Sequence, residues 1–210
     1  MKKVTIIDYG MSNLLSISRA IEKVGAEVEI SEDANTVATA DILVLPGVGA
    51  FYDGMNELNK RHLPEAIHQF LKTGKPFLGI CLGMQMMLQE GTEVQLTPGL
   101  NIIPGSVLPL PEKNKQNEFN IIPHIGWSNL ILQSEASHTP FRNITPETMI
   151  YFVHSYYASP TEKQYAFANS PFSDIEYCSI VNKDNAWGTQ FHPEKSGEAG
   201  LGILKLFVYS

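Results

Sequence analysis

The chain has 210 residues, 43% of them hydrophobic and 18% charged, which is enough for one well-buried domain and short for two. A formal charge of −7 argues against a general nucleic-acid binder, and no apolar run nears the roughly 20 residues of a membrane helix. Two cysteines, Cys81 and Cys178, cannot build a disulfide framework, and no Cys/His cluster has zinc spacing, so neither a metal nor another cofactor is expected. The N-terminus lacks the long apolar stretch of a signal peptide and reads as that of a cytoplasmic protein.

The first half alternates between two periodicities. Val4–Asp8 is a short buried strand ending at Tyr9-Gly10, and Leu14, Ile17, Ile21 and Val24 form one face of a helix that Gly25 closes. Asp41–Leu45 predicts a second strand, stopped by Pro46-Gly47. Met55, Leu58, Ile67, Phe70 and Leu71 then carry a broken helical stripe that ends at Gly74. Pro76–Ile80 predicts a third strand, running straight into helical Met84–Leu88. This order implies an α/β fold, a mostly parallel open sheet with helices on both faces.

The second half reads differently. Ile102–Leu110 mixes prolines with apolar residues, as irregular or edge strands do, and polar Glu112–Asn120 predicts a mobile exposed loop. Met149–Tyr157 and Tyr177–Val181 are expected strands. Lys183-Asp184-Asn185 turns into Trp187–Phe191, adding an antiparallel hairpin, and Ser196 caps a last helix carrying Leu201, Leu204 and Phe207. No repeat and no linker divides the chain, so residues 1–210 are expected to form a single domain.

The strongest chemical signal is Gly79-Ile-Cys-Leu-Gly83. A buried strand runs directly into a helix with a nucleophile at the turn and a glycine two positions to either side, the elbow described for serine in GxSxG. The turn exposes the side chain at the sheet edge, while the helix N-terminus favours a thiolate and offers amides to an oxyanion. A lone cysteine is otherwise a small core thiol, which is the reading for Cys178. Gln190-Phe-His-Pro-Glu194 adds what a core thiol would not need. His192 and Glu194 lie two apart on an extended segment and so share a face, where a carboxylate beside an imidazole fixes its tautomer and supports the imidazolium. The elbow and this segment together make Cys81, His192 and Glu194 a candidate catalytic triad. His154, in an apolar strand, reads as a core or interface residue.

Several stretches together resemble the triad-type, class I glutamine amidotransferases over nearly the whole chain. They are Asp8-Tyr-Gly-Met11, Pro46–Phe51, Gly79–Gln85, Pro123–Trp127, Tyr151–Tyr156 and Gln190–Ser196. Among that family the chain looks closest to glutaminase subunits of imidazole glycerol phosphate synthases, a likeness that Met84 favours. The resemblance implies glutamine hydrolysis to glutamate and ammonia. It also implies a heterodimer with a (βα)8-barrel cyclase that makes imidazole glycerol phosphate and an aminoimidazole carboxamide ribotide. It assigns Val48 and Leu82 N–H groups to the oxyanion, and Gly49, Gln85, Glu93, Ser155 and Tyr156 to the glutamine substrate, with Glu93 neutralising its α-ammonium. Trp127 and Lys195 match the partner-facing surface. By itself Glu93 reads as an exposed carboxylate after a helix, Trp127 as a half-buried aromatic and Lys195 as a solvated charge.

The chain departs from that pattern at Ser12, where glycine is common, at Ser128, where asparagine is usual, and in a longer loop around Lys113–Asn117. None touches the triad; all bear on the partner. Other readings stay open on the sequence. They are a paralogue feeding ammonia to an enzyme of surface-polysaccharide sugar synthesis, a stand-alone cysteine hydrolase, and a regulatory subunit without turnover.

Overall fold

The computed structural model describes residues 1–209, and its first half repeats strand and helix as the periodicities require. Its elements begin β1 (Lys3–Ile7), α1 (Leu14–Lys23), β2 (Glu27–Ser31), α2 (Ala34–Thr39), β3 (Leu43–Gly47), α3 (Phe51–Lys60) and α4 (Leu63–Leu71). Then come β4 (Phe77–Cys81), α5 (Leu82–Met86), β5 (Leu88–Gly91), β6 (Thr97–Pro98), β7 (Ile103–Pro109), β8 (His124–Asn129) and β9 (Ile131–Leu132). The chain closes with β10 (Met149–His154), β11 (Tyr156–Pro160), β12 (Ala166–Phe172), β13 (Ile175–Lys183), β14 (Ala186–Thr189) and α6 (Gly197–Tyr209).

The main sheet runs β2-β1-β3-β4-β14-β13-β11-β7-β5-β6, with β12 and then β9 paired beyond β13, while β8 and β10 form a separate antiparallel pair. The block from β2 to β14 is parallel, and β13 turns antiparallel against β14. Side-chain alternation gives this block two buried faces. Val4, Ile6, Val44, Leu78 and Ile80 pack under α1 and α6, whereas Ile7, Leu43, Leu45 and Phe77 pack under the helices α2 to α5. The α/β class and the hairpin at Lys183–Asn185 follow the sequence reading. Among the described residues no helix is long and apolar enough to cross a membrane.

The differences have local causes. The stripe from Met55 to Leu71 breaks at His62, whose φ of 56° separates α3 from α4, and Pro64 sits in the first turn of α4, where its missing N–H costs nothing. Ile103–Pro109 is an interior strand between β11 and β5, not an edge, but it is irregular as expected: its pairing with β5 shifts register between Ile103 and Ser106, and its prolines sit near its two ends. Met149–Tyr157 splits at Ser155 into β10 and β11, which belong to different sheets. Polar β2 and short α2 carried too little apolar signal to be read. The segment 112–120 is exposed as expected, but it is tied down rather than loose. Asn114 Oδ1 accepts the Gln116 and Glu118 amides, and Asn120 returns bonds to Glu112 and Pro111.

Candidate active site

The site forms where β3, β4 and β14 end together, the edge at which open α/β sheets bind ligands. Cys81 closes β4 at φ 54° and ψ −109°, a backbone state that costs a non-glycine residue about 1–3 kcal/mol. Leu82 starts α5 at the next residue, so its N–H has no acceptor within the helix. The flanking glycines are needed for close approach: a Cβ on Gly83 would overlap the Leu45 carbonyl oxygen, and one on Gly79 would lie 2.8 Å from the Gly83 backbone. The sequence-read elbow is thus present, with its helix packed hard against β3.

Gly47 is the direct register partner of Cys81, which brings the Pro46–Gly49 turn alongside the thiol. Val48 and Gly49 line a cavity of about 550 Å³ that Cys81, Leu82 and His192 also line. The Val48 N–H does not point at a free site; it donates to the Met11 carbonyl at 3.0 Å. Gly49 holds φ 101°, a state open to glycine.

His192 is buried and its Nδ1 lies 2.8 Å from Glu194 Oε1, itself a buried carboxylate. The pairing arises differently from the sequence argument. Pro193–Lys195 is a single 3₁₀ turn with Pro193 at its first position, and this curl, not an extended strand, folds Glu194 back on His192. The segment is clamped to β10: the His192 N–H donates to the Tyr151 carbonyl, and Ser196 Oγ donates to the His192 carbonyl while accepting the Tyr151 N–H. Burial alone would lower the His192 pKa, but the adjacent Cys81 sulfur and the Glu194 carboxylate outweigh it and hold the proton well above the usual imidazole range.

The same cavity gathers the residues assigned to glutamine. Gln85, Ser155 and Tyr156 line it, with Glu93 on its rim. Glu93 follows strand β5 rather than a helix, and its Oε2 accepts the Phe51 N–H at 2.8 Å, anchoring the first amide of α3. Lys195 is exposed and also lines the cavity. Glu194 stands behind His192, outside the cavity lining, and Trp127 lies further off, 52% exposed and edge-on to Tyr151.

The bland reading of Cys178 fits its surroundings. Cys178 is buried, with burial pushing its thiol up to about 12. His154 is buried but lies in the wall of the same cavity; its Nδ1 is 2.9 Å from the Tyr156 carbonyl, and desolvation pulls it down to about 3, so it stays neutral. One contact had no reading in the sequence: Gln190 Nε2 reaches Cys81 Sγ at 3.7 Å. Its signal was present in the spacing, since Gln190 is two residues before His192, but an uncharged amide in an extended segment gives no reason to single it out.

This fold and this elbow are those of the class-I glutamine amidotransferases, and the chain belongs to that family, whose pattern matches residues 5–210. Within it, the chain is 44% identical to imidazole glycerol phosphate synthase subunit HisH 1 of Legionella pneumophila (strain Paris), covering 99% of both chains. It is likewise 44% identical to subunit HisH of Geobacter metallireducens, over 100% of this chain and 99% of that one. In fold it is similar to the structure of PurLQS from Thermotoga maritima, with a TM-score of 0.73 at 19% identity, covering 100% of this chain and 99% of that one.

Proposed function

We propose that residues 1–210 form a single amidotransferase domain acting as the glutaminase subunit of an imidazole glycerol phosphate synthase, in cytoplasmic histidine biosynthesis. The observation that carries this reading is the meeting of Cys81, on its strained elbow, with the Glu194-braced His192 in one cavity of about 550 Å³. The full-length likeness to HisH subunits supports the pathway.

In this reading His192 takes the Cys81 proton and the thiolate attacks the side-chain carbonyl of glutamine. The Leu82 amide, with the Val48 amide once released from Met11, stabilises the oxyanion. His192 then protonates departing ammonia and activates the water that frees glutamate from the thioester. Gly49, Gln85, Ser155 and Tyr156 hold the substrate, and the Glu93 carboxylate neutralises its α-ammonium while still capping α3.

Ammonia is largely protonated in neutral water, so a dry path into a (βα)8-barrel cyclase preserves its nucleophilicity. The face for that partner is continuous with the cavity. Phe119, Ile121, Pro123, Ile125 and Trp127 are all exposed while the residues between them turn inward, and Val153, paired with Ile125, lines the cavity. Trp127 supplies an aromatic anchor and Lys195 a cation at the rim.

The test is direct. The chain is mixed with its cognate cyclase, glutamine and the phosphoribosyl aminoimidazole precursor, and imidazole glycerol phosphate is the expected product. Release of glutamate without that product would overturn the pathway assignment. A second expectation follows from the Val48–Met11 bond. The isolated chain should hydrolyse glutamine about 10²–10³-fold more slowly than the complex with precursor bound, the effect of one missing oxyanion donor. Steady-state glutaminase assays with and without the loaded partner measure it, and equal rates would refute the gating.

A further inference from the structure

The orientation of the Gln85 and Gln190 amides is forced by the groups around them. Gln85 Nε2 lies 2.8 Å from the Tyr156 carbonyl oxygen, which can only accept, so the amide nitrogen must be on that side. The same Nε2 donates to Gln190 Oε1 at 3.1 Å, which fixes the second amide in turn and leaves Gln190 Nε2 facing Cys81 Sγ at 3.7 Å. Gln190 is fully buried and Gln85 nearly so.

We propose that Gln190 is a second, non-titrating hydrogen-bond donor to the nucleophilic sulfur, held in place by Gln85 acting as a positioning residue. An amide cannot lose its proton in the working pH range, so its support of the negative sulfur is constant, whereas that of His192 depends on where the proton lies. Among the described residues the Gln190 amide is the hydrogen bond that Sγ receives; His192 Nε2 forms none, although Cys81 lies close enough to raise the His192 pKa. The chain thereby sets Gln190 and His192 on one short segment as a fixed and a movable partner for the same atom.

The proposal rests on Cys81 being the nucleophile, but its test needs no glutamine. Iodoacetamide alkylation of Cys81 is followed against pH, in a Cys178→Ala background, for the parent, Gln190→Met and Gln85→Met chains. Gln190→Met keeps the volume and removes the donor. Its alkylation rate is expected to fall about tenfold near neutral pH, the effect of losing one hydrogen bond to a charged group, and to rejoin the parental rate once the thiolate is fully formed at high pH. Gln85→Met is expected to shift the profile the same way by a smaller factor. An unchanged profile, or a rate depressed equally at every pH as altered access would give, overturns the proposal. Should Gln190→Met fail to fold by thermal melting, an unshifted Gln85→Met profile overturns it instead. A chain that shows the shift yet hydrolyses no glutamine would leave this inference standing and remove the glutaminase reading.

Discussion

Cys81→Ala is expected to abolish glutamine hydrolysis while the complex with the cyclase still forms product from added ammonium salt. Cys81 alone occupies the elbow, and the cyclase needs ammonia rather than the thiol. The fold should survive, because alanine meets the positive φ at Cys81 with no more strain than cysteine does. Glutamate release and ammonia-dependent product formation, measured on one preparation, separate the two functions. Glutaminase activity near the parental rate would sink the covalent mechanism. Loss of both activities would point to a damaged interface instead.

On the proposed triad, His192→Ala should cost almost as much as losing the thiol, roughly 10⁴-fold or more in turnover, because members of a triad act as a unit. Glu194→Gln should cost about two orders of magnitude less, since in the proposed mechanism Glu194 orients the imidazole and exchanges no proton. The geometry supports the ranking: one Glu194 oxygen meets Nδ1 at 2.8 Å, and a glutamine side-chain oxygen can accept the same bond without the charge that holds the imidazolium. Steady-state rates for both variants decide the matter. A His192→Ala enzyme with parental turnover would eliminate His192 as the base.

Much of this site was legible because its chemistry depends on residue types with few other uses. A glycine-flanked cysteine between a buried strand and a helix is rarely needed for packing alone, and a His-Pro-Glu run adds a candidate base with its candidate orienter. What could not be read depended on backbone groups. The Tyr156 carbonyl that orients Gln85, and the Met11 carbonyl that holds Val48, belong to peptide units that every residue carries, so no side chain marks them. The His192–Glu194 contact was anticipated for the wrong geometric reason, since both an extended segment and a tight turn can bring residues two apart together. In the fold, strands buried on both faces announced themselves as apolar runs. Polar β2, half-exposed β8 and the interior placement of β7 did not, because pairing partners far along the chain decided them.

The last strand of the chain is not the last in the sheet. β14 lies between β4 and β13, joining the parallel block to the antiparallel one, and Gln190, His192 and Glu194 follow it at once. During synthesis the elbow therefore emerges more than a hundred residues ahead of the groups assigned to activate it, as the spacing of Cys81 and His192 in the sequence requires. Until β14 inserts, β4 is an open edge and its cysteine an idle thiol. On the proposed mechanism, the strand that completes the sheet is therefore also the one that brings the base to the nucleophile.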